Sequence, residues 1–166
     1  HQVKAKLDAI GQIVIETQEP GMRIIDKSGP LANPADRDHC IQYMVTISLL
    51  HGRLSAADYE DAVANDPRVD ALRAKMQVVE NETFPKEYYE RDKRSIGNAV
   101  QVFFTDGTST PRVAIDCPIG HRKRREEGLP LLVKKFESSV AAHFPAKQAA
   151  AITSLFADTT KLDAMP

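Results

Sequence analysis

Apolar positions along the chain change period several times. Gln12 to Thr17, with Ile13, Val14 and Ile15 at its centre, is a β-branched run that predicts a strand, and Met22 to Ile25, beyond Pro20-Gly21, predicts a second extended segment. Gly29-Pro30 to Pro34 has loop composition. Asn33 as a cap, Pro34 at the first helical position and Asp36 in the first turn predict a helix running to about Leu50. Between Ile41 and Leu50 this helix is polar only at Gln42, Thr46 and Ser48, which implies burial on several sides. Gly52 ends it, and the Ser55-Ala-Ala-Asp58 capping box opens a short helix to about Ala64. Asp66-Pro67 starts another, with Val69, Leu72 and Met76 on one face.

Gln77 to Glu80 predicts a strand, and Asn98 to Phe104, joined through Asp106-Gly107 to Arg112–Ile115, predicts a hairpin whose turn type stays open. Beyond Pro118 the period becomes helical. Leu129, Leu132, Val133, Phe136, Val140 and Phe144 form one stripe; Ile152, Leu155, Phe156, Thr159 and Leu162 form a second, with Pro145 between the two helices. Helices mixed with strands, without regular βαβα alternation, predict an α+β domain over residues 1–116. Residues 117–166 form a basic loop and two C-terminal helices, a separate layer whose stripes must be covered by a partner helical domain or by the small sheet.

Charge removes several function classes. Twenty-two basic and 23 acidic residues leave a net charge of −1, so no global field draws in nucleic acid or an anionic membrane, and any anion site is local. A composition 42% hydrophobic and 27% charged excludes disorder and fibres. Cys40 and Cys117 have neither disulfide-framework nor zinc spacing, which makes a reducing cytoplasm the expected compartment. No apolar run reaches the length of a membrane span. The chain begins at His1 and Gln2 to Gly11 lacks the apolar core of a secretory signal, so a trimmed start is expected.

Two constellations carry chemistry. Gly120-His121-Arg122-Lys123-Arg124-Arg125 has the donors to clamp carboxylates or phosphates; its alternative is a solvated basic loop balanced by Glu126 and Glu127. Arg37-Asp38-His39 precedes Tyr43, which lies on the same helical face as His39. His39 is suited to proton transfer near neutral pH, with a structural, hydrogen-bonded histidine as the alternative. His51, His121 and His143 fall in different segments, which argues against a metal site. GxGxxG, P-loop and GxSxG patterns are absent, and Tyr88-Tyr89 reads as a packed surface segment.

The strings Arg23 to Val45, Asp58-Tyr-Glu-Asp61, Asp70-Ala-Leu-Arg73, Asp92 to Ala99, Pro118-Ile-Gly-His121 and Phe144 to Gln148 resemble, in order and spacing, the C-terminal third of the MmgE/PrpD family, in its methylcitrate branch. The resemblance implies a two-domain enzyme in which a large helical domain meets an α+β lid, with the active site in the cleft between them. It implies dehydration of a tricarboxylate, 2-methylcitrate, to 2-methyl-cis-aconitate in propionate degradation, with no cofactor and no iron-sulfur cluster. On that resemblance His39 and His121 are the acid/base candidates and Arg37, Tyr43 and Arg122 the substrate binders. The main catalytic groups are expected upstream, so the fragment alone is expected to be inactive, with its exposed stripes favouring a homo-oligomer, a dimer in the intact enzyme. The competing readings are a non-catalytic interaction module and a related lyase, decarboxylase or epimerase acting on another polycarboxylate.

Overall fold

The computed structural model describes residues 3–164. The chain divides into two compact units, His1–Asp116 and Cys117–Pro166.

The first unit is built on a four-stranded mixed sheet in the order β2-β1-β3-β4. Its strands are β1 (Ile10–Thr17), β2 (Met76–Glu80), β3 (Asn98–Phe104) and β4 (Val113–Ile115). β1 runs parallel to β2, with Ile13 opposite Met76, and antiparallel to β3, with Ile13 opposite Val102; β3 and β4 form the expected antiparallel hairpin. A parallel neighbour requires a crossover, and the chain between β1 and β2 supplies it as five helices. These are α1 (Glu19–Ile25), α2 (Pro34–Asp38), α3 (Ile41–His51), α4 (Asp61–Ala64) and α5 (Pro67–Arg73). A sixth, α6 (Thr83–Tyr89), follows β2.

Alternation along β1 separates its two faces. Ile13, Ile15 and Thr17 are buried, whereas Gln12 is exposed and Val14 and Glu16 are half-buried. The buried side packs with Ile10, Val102 and Phe104 against Ile41 and Leu72, and each fully buried isoleucine contributes roughly 1.5–3 kcal/mol of transfer free energy. Gly52 closes α3 with φ +71°, the left-handed conformation that only glycine adopts cheaply.

Four expectations change. Met22–Ile25 is the end of helix α1 rather than a strand: the Met22 and Asp26 amides donate to the Gln18 and Met22 carbonyls, and the sheet places β2 and β3, not this segment, beside β1. The helix predicted from Asn33 to Leu50 breaks at His39-Cys40: Cys40 is extended and wholly buried, with its thiol directed at the Gln42 Oε1 (3.3 Å). The helix expected after the Ser55 box is a 3-10 turn at Ala56–Tyr59 followed by the short α4. Met76 opens β2 instead of extending the α5 face. Helix α6 has no counterpart in the periodicity; the Asn81 side chain accepting the Thr83 amide (3.0 Å) marks its start.

On the more open face, Glu16 Oε1 and Oε2 accept a two-pronged pair from Arg112 Nε (2.5 Å) and Nη2 (2.8 Å), and Asn81 Nδ2 adds a third bond (2.5 Å). The Arg112 guanidinium holds the Glu16 carboxyl down to about 2 from an ordinary 4.5. A depressed carboxyl stabilises the fold above its unfolded value and loses that contribution as pH falls through the folded one, so the window is about pH 4.5 to 2. Arg112 is 39% exposed, and solvent screening reduces the expected contribution to about 1 kcal/mol. Denaturation of Arg112→Ala and the parent chain should therefore differ at pH 7 and converge near pH 2; a constant difference across the range would refute the linkage.

The second unit contains a 3-10 turn at Arg122–Arg124 and helices α7 (Arg125–His143), α8 (Ala146–Phe156) and α9 (Thr159–Asp163). Pro145 caps α8, as its position predicts. The second predicted helix is divided because the Asp158 carboxylate accepts the Thr160 and Lys161 amides (3.1 and 3.4 Å) and starts a new helix there. Phe144 lies past the end of α7, and the Thr159 side chain falls outside the described residues. Phe136 and Phe156 pack with ring centroids 5.0 Å apart and Val140 is buried, but Leu129, Leu131, Leu132 and Val133 are each half exposed or more. A side chain on Gly128 would overlap the Ile119 carbonyl oxygen, so the loop can close on α7 only over a glycine.

Candidate functional site

The α2–α3 corner is organised from below by buried polar groups. Asn33 Oδ1 accepts the Asp36 amide (2.9 Å) and Asp36 Oδ2 accepts the Ala32 amide (3.1 Å), which starts α2. Arg37, its side chain 5% exposed, donates from Nη1 to the Tyr59 carbonyl (2.7 Å) and pairs through Nη2 with Asp61 (2.7 Å). Tyr43, also buried, donates its hydroxyl to the Asp58 carbonyl (2.6 Å) and stacks on Tyr59 with centroids 5.9 Å apart. Burial pushes the Tyr43 phenol up from its ordinary value.

Asp58 is the anchor of this corner. Its carboxylate accepts the Ser55 amide (2.7 Å) and hydroxyl (2.6 Å), Arg53 Nη1 (2.6 Å) and His51 Nδ1 (3.3 Å). The Ser55 hydroxyl is the main reason its carboxyl is held below the usual range, against the opposing effect of burial. The capping box was legible in the sequence; the convergence of His51 and Arg53 on it was not, since neither carries a spacing signal.

His39 stands on this platform at the end of α2, its side chain 59% exposed and its Nδ1 bonded to the Asp38 carboxylate. A carboxylate only accepts, so in the neutral ring Nδ1 carries the proton and Nε2 keeps the lone pair. The structure thus brings Arg37, His39 and Tyr43 to one corner, where Arg37 and Tyr43 bond to the Tyr59 and Asp58 carbonyls.

His121 and Arg122 belong to the second unit. His121 caps the 3-10 turn, its Nδ1 accepting the Lys123 amide (3.2 Å), and Arg122 is exposed at the first position of that turn. Arg124 is committed locally, to Glu127 through Nε (2.9 Å) and Nη2 (2.6 Å) and to the Cys117 carbonyl (2.9 Å). Part of the basic run is therefore balanced by its own glutamate, as the solvated-loop reading expects. Among the described residues no three His, Cys, Asp or Glu side chains converge as a metal site would require.

Sequence reasoning passed over the loop Lys27-Ser28-Gly29-Pro30, which with Gln42, Asp70 and Arg73 borders a cavity of about 460 Å³. Its composition signalled only a loop from Gly29-Pro30 onward and no role for Lys27 or Ser28.

The fold and this corner define an α+β domain, a mixed sheet carrying a polar, histidine-bearing helix corner, followed by a helical unit. The chain belongs to the MmgE/PrpD family: residues 1–160 match the family's C-terminal domain. It is similar to the 2-methylcitrate dehydratase of Cupriavidus necator, 54% identical over 157 residues that cover 95% of this chain and 32% of the relative. The mitochondrial 2-methylcitrate dehydratase of Yarrowia lipolytica is 57% identical over 141 residues, 85% of this chain and 27% of the relative. The Escherichia coli K12 2-methylcitrate dehydratase is 52% identical over 157 residues, again 95% and 32%. The chain thus spans about a third of the length of the curated relatives it matches.

Proposed function

We propose that this chain is the C-terminal lid of a hydro-lyase that removes water from 2-methylcitrate to give 2-methyl-cis-aconitate in propionate catabolism. The observation that carries the reading is the 52–57% identity to 2-methylcitrate dehydratases from two bacteria and a yeast over 85–95% of the chain. Loss of water from a hydroxy-tricarboxylate removes a proton from a carbon beside a carboxylate and delivers one to the departing hydroxyl. In this reading His39 serves as an acid/base group, its tautomer set by Asp38, with His121 as a second; Arg122 binds a substrate carboxylate, and Arg37 and Tyr43 position the corner that faces the substrate. The remaining groups come from the upstream helical domain.

Absorbance of the unsaturated product tests the reading directly. Turnover of 2-methylcitrate is expected from the full-length protein and not from this chain alone. Turnover by the chain alone would place all catalytic groups within it, and failure of the full-length protein on 2-methylcitrate would overturn the dehydratase assignment.

The exposed face of α7, with Leu132 at 61% and Leu129 at 52%, supports packing of residues 117–166 against the upstream domain, and a homodimer as the full-length assembly. Sedimentation is expected to show self-association of the isolated chain that Leu132→Glu relieves; a strictly monomeric isolated chain would count against the covering role. Two unpaired cysteines, one of them buried, support a cytoplasmic location. Fractionation of cells expressing the full-length protein decides that, and recovery with another compartment would refute it. No helix among the described residues is long and apolar enough to cross a membrane.

A further inference from the structure

The cavity of about 460 Å³ beside the Lys27–Pro30 loop gathers the Lys27 and Arg73 side chains and the loop backbone among the apolar Pro30, Ala74 and Met76, with Asp70 at its border, and the acid/base reading makes no use of it. Arg73 reaches it from the end of α5 with a side chain only 10% exposed. Its Nη2 donates to the Gly29 carbonyl (2.9 Å) and its Nη1 to Asp70 (2.6 Å), while its Nε is buried with no partner. Among the described residues the carboxylate paired with this guanidinium is Asp70, 79% exposed and three residues back on the same helix.

The loop that Arg73 bonds to carries further donors. The backbone amides of Lys27, Ser28 and Gly29 donate to no described group, and Gly29 turns with φ +87°. Successive unpaired amides beside a left-handed glycine form the concavity that backbone uses to hold anions. Among the described residues the carboxylate nearest Lys27 Nζ is a loose neighbour, Asp36 at 3.8 Å. Gln42 is fixed as part of the wall, its Nε2 donating to Asp26 (2.5 Å) and its Oε1 facing the Cys40 thiol. Nη1 and Nη2 of Arg73 each keep one hydrogen beyond those given to Asp70 and Gly29, and with the Lys27 ammonium and a row of open amides these match the oxygens of a carboxylate.

We propose that this cavity is a carboxylate-binding site, holding one carboxylate of a di- or tricarboxylate between Arg73, Lys27 and the Ser28 and Gly29 amides. The identity of that acid as the substrate rests on the dehydratase reading; the anion site does not.

Titration of the chain with citrate and with 2-methylcitrate, followed by amide NMR, tests it, because the open amides are themselves the reporters. Saturable shifts are expected at Ser28 and Gly29, with affinity falling about tenfold or more in Lys27→Ala and in Arg73→Gln. Lys27 lies on an open loop, so its variant keeps the test valid if Arg73→Gln fails to fold. Unmoved Ser28 and Gly29 signals at millimolar citrate, or equal affinity in Lys27→Ala, would overturn the site. Inorganic phosphate binding more tightly than citrate would overturn the carboxylate assignment. Citrate binding without turnover in the full-length protein would remove the dehydratase reading and leave the site standing; turnover without binding here would do the reverse.

Discussion

His39→Gln in the full-length protein is expected to lower kcat by ~10²-fold or more while leaving thermal stability nearly unchanged. The two halves of that expectation have separate causes. His39 is 59% exposed at the end of α2 and fills no core space, so its removal creates no cavity. Glutamine can still hydrogen-bond Asp38 but cannot carry a proton between substrate and water near neutral pH. Asp38→Asn provides the internal check, since it removes the carboxylate that selects the tautomer while leaving the imidazole in place. Its kcat loss should be smaller than that of His39→Gln. Turnover within twofold of the parent for His39→Gln would end the acid/base assignment and make His39 a surface residue.

The largest structural effect is expected from Ile13→Ala, at about 3 kcal/mol of lost stability in the first unit. Ile13 has no exposed surface, sits in the central strand opposite both Met76 and Val102, and packs in the core that includes Ile41 and Leu72. Because neighbours on four elements would have to move together, collapse into the void is restricted and the cost stays near the middle of the range for such truncations. Val14→Ala, one residue along on the half-buried face, should cost well under half as much. Urea denaturation read by far-UV circular dichroism measures both, and equal losses at the two positions would mean that β1 does not divide the sheet into covered and open faces.

How legible this was depended on the range of each signal. Asn33, the Ser55-Asp58 pair, Asp66 and Gly52 were readable as caps because a cap is satisfied within three or four residues of itself. The β1 strand and the β3–β4 hairpin were readable because alternation and a Gly turn are also local. Met22–Ile25 was not, since a short apolar run suits helix or strand equally, and the sheet that forms does not include it. The candidate site follows the same division. His39 and its Asp38 partner are adjacent in sequence, whereas the contacts of Arg37 with Tyr59, of His51 with Asp58 and of Arg73 with Gly29 join residues 22, 7 and 44 apart.

What the chain's sequence determined by itself, then, was an α+β class, the caps at Asn33, Ser55 and Asp66, the four strands of the sheet and a family resemblance carried by long ordered strings. Tertiary structure alone decided that β1 pairs in parallel with β2, that the long predicted helix breaks at His39-Cys40, and that Arg37 and Tyr43 turn inward to carbonyls. It also decided that Arg73, Lys27 and the Gly29 loop share a cavity. The physical reason is that caps and periodicity are settled by backbone hydrogen bonds a few residues long, while a buried guanidinium or phenol takes whichever acceptor the packing of distant elements leaves beside it.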